Sequence, residues 1–369
     1  MIYLDYGATS FRKPPQVRKA VLEAMTRCAN PGRGGYGAAM EAAKVVFGTR
    51  EQAAGLFGCQ PEQVVFTSNC THGLNLAIRT LVKPGDRVVI SGFEHNAVTR
   101  TLHALGAETI VAGRRLFDPE DTLAELEKAL QNGVKAGVFT HVSNVFGYIL
   151  PVNRICGLCR AYGVPVILDA AQSAGSIPVD MPALGADFIA MPGHKGLLGP
   201  QGTGLLLCAR DPEPLICGGT GSESIRQQMP EQLPERAEAG TLNVPGIAGL
   251  GAGIRFLRGS GVEKIGKQEH IQAKRCASML QALGLSVFTG SQQSGTLSFL
   301  PPGDCENFAQ ELAQRGIAVR AGLHCAPLAH ESAGTLDTGT VRVSYGPDAC
   351  EEQTRRLIQA VRQCLVRGK

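Results

Sequence analysis

The chain contains no tryptophan, and aromatic residues make up only 5% of its 369 positions. No window approaches the ~18 uninterrupted apolar residues of a membrane-spanning helix. The start, Met1-Ile2-Tyr3-Leu4-Asp5, lacks the basic stretch and apolar run of a secretory leader. There is no lysine/arginine block and no interleaving of basic with aromatic residues. Thirty-six basic residues against thirty-two acidic ones leave a formal charge of +4, so a nucleic-acid groove is not indicated. These absences speak against a membrane protein and a nucleic-acid binder, and the expectation is a soluble cytoplasmic protein.

Cysteine, by contrast, is plentiful, with twelve scattered residues. Their spacing does not resemble a small disulfide scaffold, so reduced thiols are expected. Cys156-Gly157-Leu158-Cys159 lacks the second pair or the histidines that zinc would need, and helical core packing accounts for it. No metal site is expected.

Short, continuous apolar runs alternate with helical patterns. They are Val64 to Phe66, Arg87 to Ser91, Gly137 to Thr140, Val164 to Leu168, Asp187 to Ala190 and Gly204 to Leu207. Continuous rather than alternating runs predict strands buried on both faces, as in a mostly parallel sheet covered by helices. Three further strands, Leu297 to Leu300, Ile317 to Arg320 and Val341 to Ser344, precede a final helix with Leu357, Ile358, Val361 and Leu365 on its apolar face. The reading is an α/β chain. Residues 1–14 form a segment that packs with the small domain, 15–255 the large domain, and 256–369 a smaller C-terminal α/β domain. Gly218 to Ser222 and Arg226 to Glu238 read as one long exposed loop.

Ligands of open α/β sheets sit beyond the carboxyl ends of the strands, which makes polar residues just after the apolar runs informative. Asp169 ends one run, and Gln172 follows. A buried carboxylate there suits a pyridine nitrogen that must stay protonated, although a helix cap is equally consistent. Lys195, in Pro192-Gly193-His194-Lys195-Gly196, stands on a glycine-flanked turn at a strand end. A sheltered lysine can condense with an aldehyde; an exposed turn lysine is the plainer alternative. Thr67 to Gly73 leads from a strand into a helix, where free backbone N–H groups bind phosphate. His95 follows the strand ending at Ser91 and could stack on a planar ring or serve a structural purpose. The glycine runs 32–37 and 249–253 do not open a strand-to-helix turn, as a dinucleotide fingerprint must.

Taken in order, Tyr3 to Thr9, His141 to Gly147, Asp169-Ala170-Ala171-Gln172, Gly193-His194-Lys195, Arg320 to Ala326 and Val341 to Ser344 resemble the motifs of the cysteine desulfurases and selenocysteine lyases, within the class V aminotransferase group. The Arg-x-Gly-x-His-Cys form around Cys325 is similar to the branch that includes the selenocysteine lyases.

The resemblance implies a pyridoxal-phosphate fold with a mostly parallel seven-stranded sheet and pyridoxal 5'-phosphate as cofactor. In that fold Lys195 holds the cofactor, Asp169 faces its pyridine nitrogen, Gln172 bonds its ring hydroxyl and His95 stacks on the ring. Cys70, Thr71, His72 and His194 would surround the phosphate, and Thr241 would reach it from a second subunit of a homodimer. Asn144 and Arg342 would hold the carboxylate of L-cysteine or L-selenocysteine. Cys325 would take the sulfur as a persulfide, with release of alanine and delivery to an acceptor protein, iron–sulfur cluster assembly being one destination. Arg320 and His324 would be the groups nearest in sequence that could promote its deprotonation.

Three positions depart from the family pattern: Pro192 where a serine is common, His72 where a glutamate is usual, and Asp348-Ala349-Cys350 ahead of the last helix. Two other readings stay open, a transaminase or cysteine lyase that forms no persulfide, and a catalytically silent sulfur-transfer partner.

Overall fold

The computed structural model describes residues 1–32 and 34–367, so Arg33 of the glycine run at 32–37 lies outside the described residues. The N-terminal segment holds strand β1 (Ile2–Tyr3). Helices α1 (Pro15–Arg27) and α2 (Gly37–Phe57) follow, then β2 (Val64–Thr67), α3 (Cys70–Leu81), β3 (Arg87–Ser91), α4 (Asn96–Leu105), β4 (Glu108–Ala112), α5 (Pro119–Gln131), β5 (Ala136–Thr140), α6 (Val152–Ala161), β6 (Val166–Asp169), α7 (Met181–Leu184), β7 (Phe188–Pro192) and β8 (Gly204–Cys208).

Strands β2 to β8 form one seven-stranded sheet in the order β2-β8-β7-β6-β5-β3-β4. Only β8 runs against its neighbours. Every residue of β2, β5, β6, β7 and β8 is buried, as helices on both faces require. Two apolar clusters lie on opposite faces. Val89, Phe139, Leu168 and Ile189 point into one, and Val88, Val138, Ile167 and Phe188 into the other, following the two-residue period of the strands. Cys156 and Cys159 are both buried in the first of these clusters, as packing predicts.

Beyond the sheet come α8 (Val244–Ser260), α9 (Val262–Gln281), β9 (Ser286–Phe288), β10 (Thr296–Leu300), α10 (Cys305–Gln314), β11 (Ile317–Ala318), β12 (Arg320–Gly322), α11 (Pro327–Ala333), β13 (Thr340–Ser344) and α12 (Glu351–Arg367). Helix α8 runs unbroken past residue 255, and the chain turns at Gly261, where φ is 84°. An antiparallel sheet of order β12-β13-β10-β9 encloses a third apolar cluster together with α9, α10 and α12.

The single strand predicted over Ile317 to Arg320 is two. Ile317 and Ala318 pair with Ile2 and Tyr3, whereas Arg320 to Gly322 pair with β13. That switch attaches the N-terminal segment to the C-terminal unit, where Leu4 is fully buried. Strand β4 went unread because it is an edge strand: Glu108 and Thr109 face solvent, and only Ala112 is buried. In the 209–243 stretch Glu238 departs from the exposed-loop reading, because it is buried against Arg50.

Candidate active site

Strands β2, β3, β5, β6 and β7 run the same way, so the turns after them gather at one edge of the sheet. They bring Cys70, Thr71, His95, Asn144, Asp169, Gln172, His194 and Lys195 around a cavity of about 200 Å³. Parallel strands are what concentrate these residues, since each turn of this kind opens at the same end.

Asp169 is buried, and one of its oxygens, Oδ1, accepts from the Ala171 N–H at 2.8 Å and from the Cys70 thiol at 3.4 Å. Both donors fall on Oδ1, leaving Oδ2 without a protein donor among the described residues. Cys70 therefore contacts the carboxylate through its side chain. Burial and the adjacent Asp169 charge push its thiol well above the ordinary range, which keeps it a donor. The amine of Lys195 has no hydrogen-bond partner among the described residues. Burial lowers its pKa against the opposing pull of Asp169, which favours the neutral, nucleophilic form.

His95 caps α4, its Nδ1 accepting from the Ala97 N–H at 3.0 Å, so the ring is fixed and Nε2 carries the proton. Burial lowers its pKa. At the start of α3, Asn69 accepts from the His72 N–H at 2.9 Å, and no acceptor is found among the described residues for the N–H groups of Cys70 and Thr71. Free donors at the start of a twelve-residue helix suit a phosphate. The His72 ring instead accepts from the Ser68 N–H at 3.2 Å. It lies with Ser68 and Thr241 on a neighbouring cavity of about 160 Å³, so within one chain Thr241 is not at the Lys195 cavity.

The N-terminal segment crosses this edge. Gly7 O accepts from Gln172 Nε2 at 3.0 Å, and Thr9 Oγ1 lies 3.0 Å from His194 Nδ1. Ser10 Oγ and Lys13 Nζ both donate to His194 O. A side chain at position 7 would lie 3.1 Å from Arg342 Cζ, so any residue larger than glycine would have to displace that guanidinium by a few tenths of an ångström. The motif Tyr3 to Thr9 carried part of the family resemblance but assigned no role to Asp5, Gly7 or Thr9, and Lys13 lay outside it, because their place at the site depends on the pairing of β1 with β11.

Arg342 is buried at 2% exposure. Its Nη2 is 2.8 Å from Asp5 Oδ1, its Nη1 donates to Asn144 O at 2.9 Å, and its Nε is buried without a partner. Asn144 Nδ2 donates to His324 O at 2.7 Å, and Asn96 N donates to Cys325 O at 2.8 Å. These bonds fix a turn in which His324 and Cys325 both take the left-handed conformation, at φ 49° and 57°, which non-glycine residues adopt only when their surroundings impose it. Cys325 is left exposed.

His324 is buried, with Nε2 at 3.1 Å from Thr340 O. Burial and the nearby Arg342 push its pKa down to about 2, so it is neutral and unsuited to stabilise a thiolate by charge. Arg320 is half-exposed and paired with Asp5.

A buried carboxylate with one free oxygen, a sheltered unpartnered lysine amine, a fixed imidazole and free helix N–H groups together fit the pyridine nitrogen, aldehyde, ring and phosphate of pyridoxal 5'-phosphate. The class defined by this fold and site is that of the pyridoxal-phosphate enzymes. The sequence matches the aminotransferase class-V family over residues 2–357, and the chain belongs to that family.

It is 33% identical to a probable cysteine desulfurase of Methanothermobacter thermautotrophicus, over 93% of this chain and 89% of that one. The apo structure of a cysteine desulfurase from Thermococcus onnurineus superposes with a TM-score of 0.90 at 32% identity, covering 100% of this chain and 95% of the other. The S-sulfonic acid form of the cysteine desulfurase CsdA from Escherichia coli gives 0.85 at 26% identity, covering 99% and 94%. Within class V the chain is thus a member of the cysteine desulfurase family.

Proposed function

We propose that this enzyme converts L-cysteine to L-alanine and takes the sulfur onto Cys325 as a persulfide. The observation that carries the reading is the attachment of the Cys325 turn to the cofactor cavity, through Asn96 N to Cys325 O and Asn144 Nδ2 to His324 O. A transaminase has no need of an exposed thiol held at that edge.

Pyridoxal 5'-phosphate, bound at Lys195, supplies an electron-withdrawing ring that stabilises negative charge at the substrate α-carbon. Asp169 presents its free oxygen to the pyridine nitrogen and keeps that nitrogen protonated. Gln172 would bond the ring hydroxyl, and the His95 imidazole, fixed by the Ala97 N–H, would stack on the ring. Cys70 and Thr71 would offer their backbone N–H groups to the phosphate, with His194 on the same cavity and His72 on the neighbouring one. Arg342, through its unpartnered Nε, and Asn144 receive the substrate carboxylate.

The Lys195 amine, its pKa lowered by burial, takes the α-proton and holds it for return. The Cys325 thiolate attacks the substrate sulfur. An S–S bond forms as the C–S bond breaks, the electron pair passes to the carbon side, and reprotonation there gives alanine. The persulfide then waits for an acceptor, for which a sulfur-carrier protein or an iron–sulfur scaffold has the right chemistry. Selenocysteine presents the same carboxylate and amine and is a second substrate.

We place the enzyme in the cytoplasm as a homodimer. No helix among the described residues is long and apolar enough to cross a membrane, and no disulfide joins the thiols among them. The dimer reading is supported by Tyr36, Met40 and Phe47, which are exposed along α2 and its start, with Phe47 on the same cavity of about 740 Å³ as Thr241. A partner covering that face would carry its own Thr241 toward this chain's phosphate site. Residues 15–255 then act as the cofactor-binding domain and 256–369 as the domain carrying the thiol, with 1–14 packed on the latter.

The test is incubation of the purified enzyme with cysteine and no acceptor, followed by mass spectrometry of the intact chain and of its peptides. One additional sulfur on the Cys325 peptide, with one alanine released, is expected; pyruvate, ammonia and sulfide formed in place of alanine, with no added mass, would favour a lyase.

A further inference from the structure

Cys70 is the first residue of α3, and its backbone and side chain serve two different parts of the cofactor cavity. Its N–H is one of the free donors at the helix start. Its thiol turns instead to the end of β6, where it donates to Asp169 Oδ1 at 3.4 Å.

Two glycines fix that placement. One turn along α3, a side chain on Gly73 would come 3.4 Å from Ala190 Cβ on β7 and 3.6 Å from Leu206 Cβ on β8, so the helix lies directly against the sheet. A side chain on Gly204 would come 2.6 Å from Thr67 Oγ1 and 2.8 Å from the Asn69 carbonyl carbon, so the start of β8 also holds the turn that leads into Cys70. The thiol is thus presented by packed backbone.

Asp169 has few partners. The Ala171 N–H donates to the same Oδ1 at 2.8 Å, and among the described residues Cys70 is the one side chain hydrogen-bonded to this carboxylate. The other titratable groups that face it are Lys195 from the turn after β7, and Glu94 and His95 from the turn after β3. Donors on one carboxylate compete for its negative charge, so whatever bonds to Oδ1 weakens what Oδ2 offers to a further donor. A thiol is a weak donor and takes little. Burial and the Asp169 charge keep it protonated.

We infer that Cys70 is a positioning residue that sets how strongly Asp169 draws on the proton of the pyridine nitrogen: it engages Oδ1, leaves Oδ2 to the nitrogen, and as a weak donor keeps most of the negative charge there. The inference rests on the proposed function, in that it takes pyridoxal 5'-phosphate as the cofactor with its nitrogen at Asp169. Cys70 acts through Asp169 and need not touch the ring.

The experiment uses the loaded enzyme, with the cofactor isotope-labelled at its ring nitrogen, and reads the proton NMR resonance of the N–H that bonds to Asp169. A stronger pull by the carboxylate moves this resonance downfield. Cys70→Ala removes the donor, and Cys70→Ser replaces the thiol with the stronger hydroxyl. The resonance is expected downfield of wild type in Cys70→Ala and upfield of it in Cys70→Ser.

Both variants make the side chain smaller, so an effect of packing alone would move them in the same direction. Shifts of the same sign, or none, overturn the assignment. Should one variant fail to fold, the direction of the other against wild type decides it. Unchanged resonances in an enzyme that keeps the nitrogen-bound proton remove only the role of Cys70. A wild-type enzyme loaded at Lys195 whose labelled nitrogen carries no proton removes the pairing of Asp169 with the cofactor, and with it that part of the proposed function.

Discussion

Asn96 N donates to the carbonyl of Cys325 at 2.8 Å, which fastens a turn of the C-terminal unit to the residue next to His95. The two residues are more than two hundred positions apart in sequence, and this backbone bond holds the exposed thiol at the edge of the cofactor cavity.

Replacing Cys325 with alanine should therefore leave the cavity intact and remove only the acceptor. Desulfuration of cysteine is expected to fall by at least about 10³-fold, as for loss of a nucleophile, with substrate binding still visible in the spectrum. Selenocysteine, whose carbon–selenium bond is weaker, should retain part of its turnover. Parallel assays of alanine release with both substrates check this.

Lys195→Ala should abolish turnover and covalent retention of the cofactor, because among the described residues no second lysine lines the cavity. Borohydride reduction followed by mass spectrometry of the denatured chain is the measurement, and covalently attached cofactor in the variant would refute the assignment.

Glu94 gives a prediction for pH. Its Oε1 accepts both the Ser91 hydroxyl at 2.5 Å and the Thr140 N–H at 2.8 Å, while Oε2 is buried without a partner. A buried oxygen without a donor disfavours the ionised form, and burial pushes the pKa up to about 8. From the unfolded value near 4.5 up to about 8 the native state binds a proton that the unfolded state has released. Its contribution to stability is therefore greatest at low pH and is lost as pH rises through that window. Glu94→Gln should flatten this slope, as read by urea denaturation at pH 5 to 9, while other titrating groups keep theirs.

Arg50 and Glu238 form a buried ion pair, with the Arg50 guanidinium 4.5 Å from the centre of the Phe66 ring and the Phe66 N–H donating to Glu238 at 2.6 Å. Glu238→Ala would leave a buried cation uncompensated, a loss of about 3–5 kcal/mol. The same change should loosen the stretch leading to Thr241 and speed cofactor dissociation from the dimer, which dialysis followed by absorbance would detect.

Met40→Glu together with Phe47→Glu places two charges on the exposed apolar face of α2. Sedimentation should show a dimer for wild type and a shift to monomer for the variant, with weaker retention of the cofactor if Thr241 of the partner closes the phosphate site.

By itself the sequence determined the parts that depend on local pattern. Continuous apolar runs marked the strands of the central sheet, because burial on both faces leaves no polar position. The residues after those runs, Asp169, Lys195 and His95, were legible because parallel strands place such turns at one edge. The motif around Cys325 pointed to the thiol.

Only the tertiary structure decided what crosses between distant segments. The break at Val319 sends Ile317 and Ala318 to β1 and Arg320 to β13, and so carries Asp5 between two arginines. Cys70 turns its thiol to Asp169, and Glu238 is buried rather than exposed. Each of these depends on a charge or hydrogen-bond partner that is remote in sequence. Local periodicity records whether a position is buried; it carries no information about which distant group meets it there.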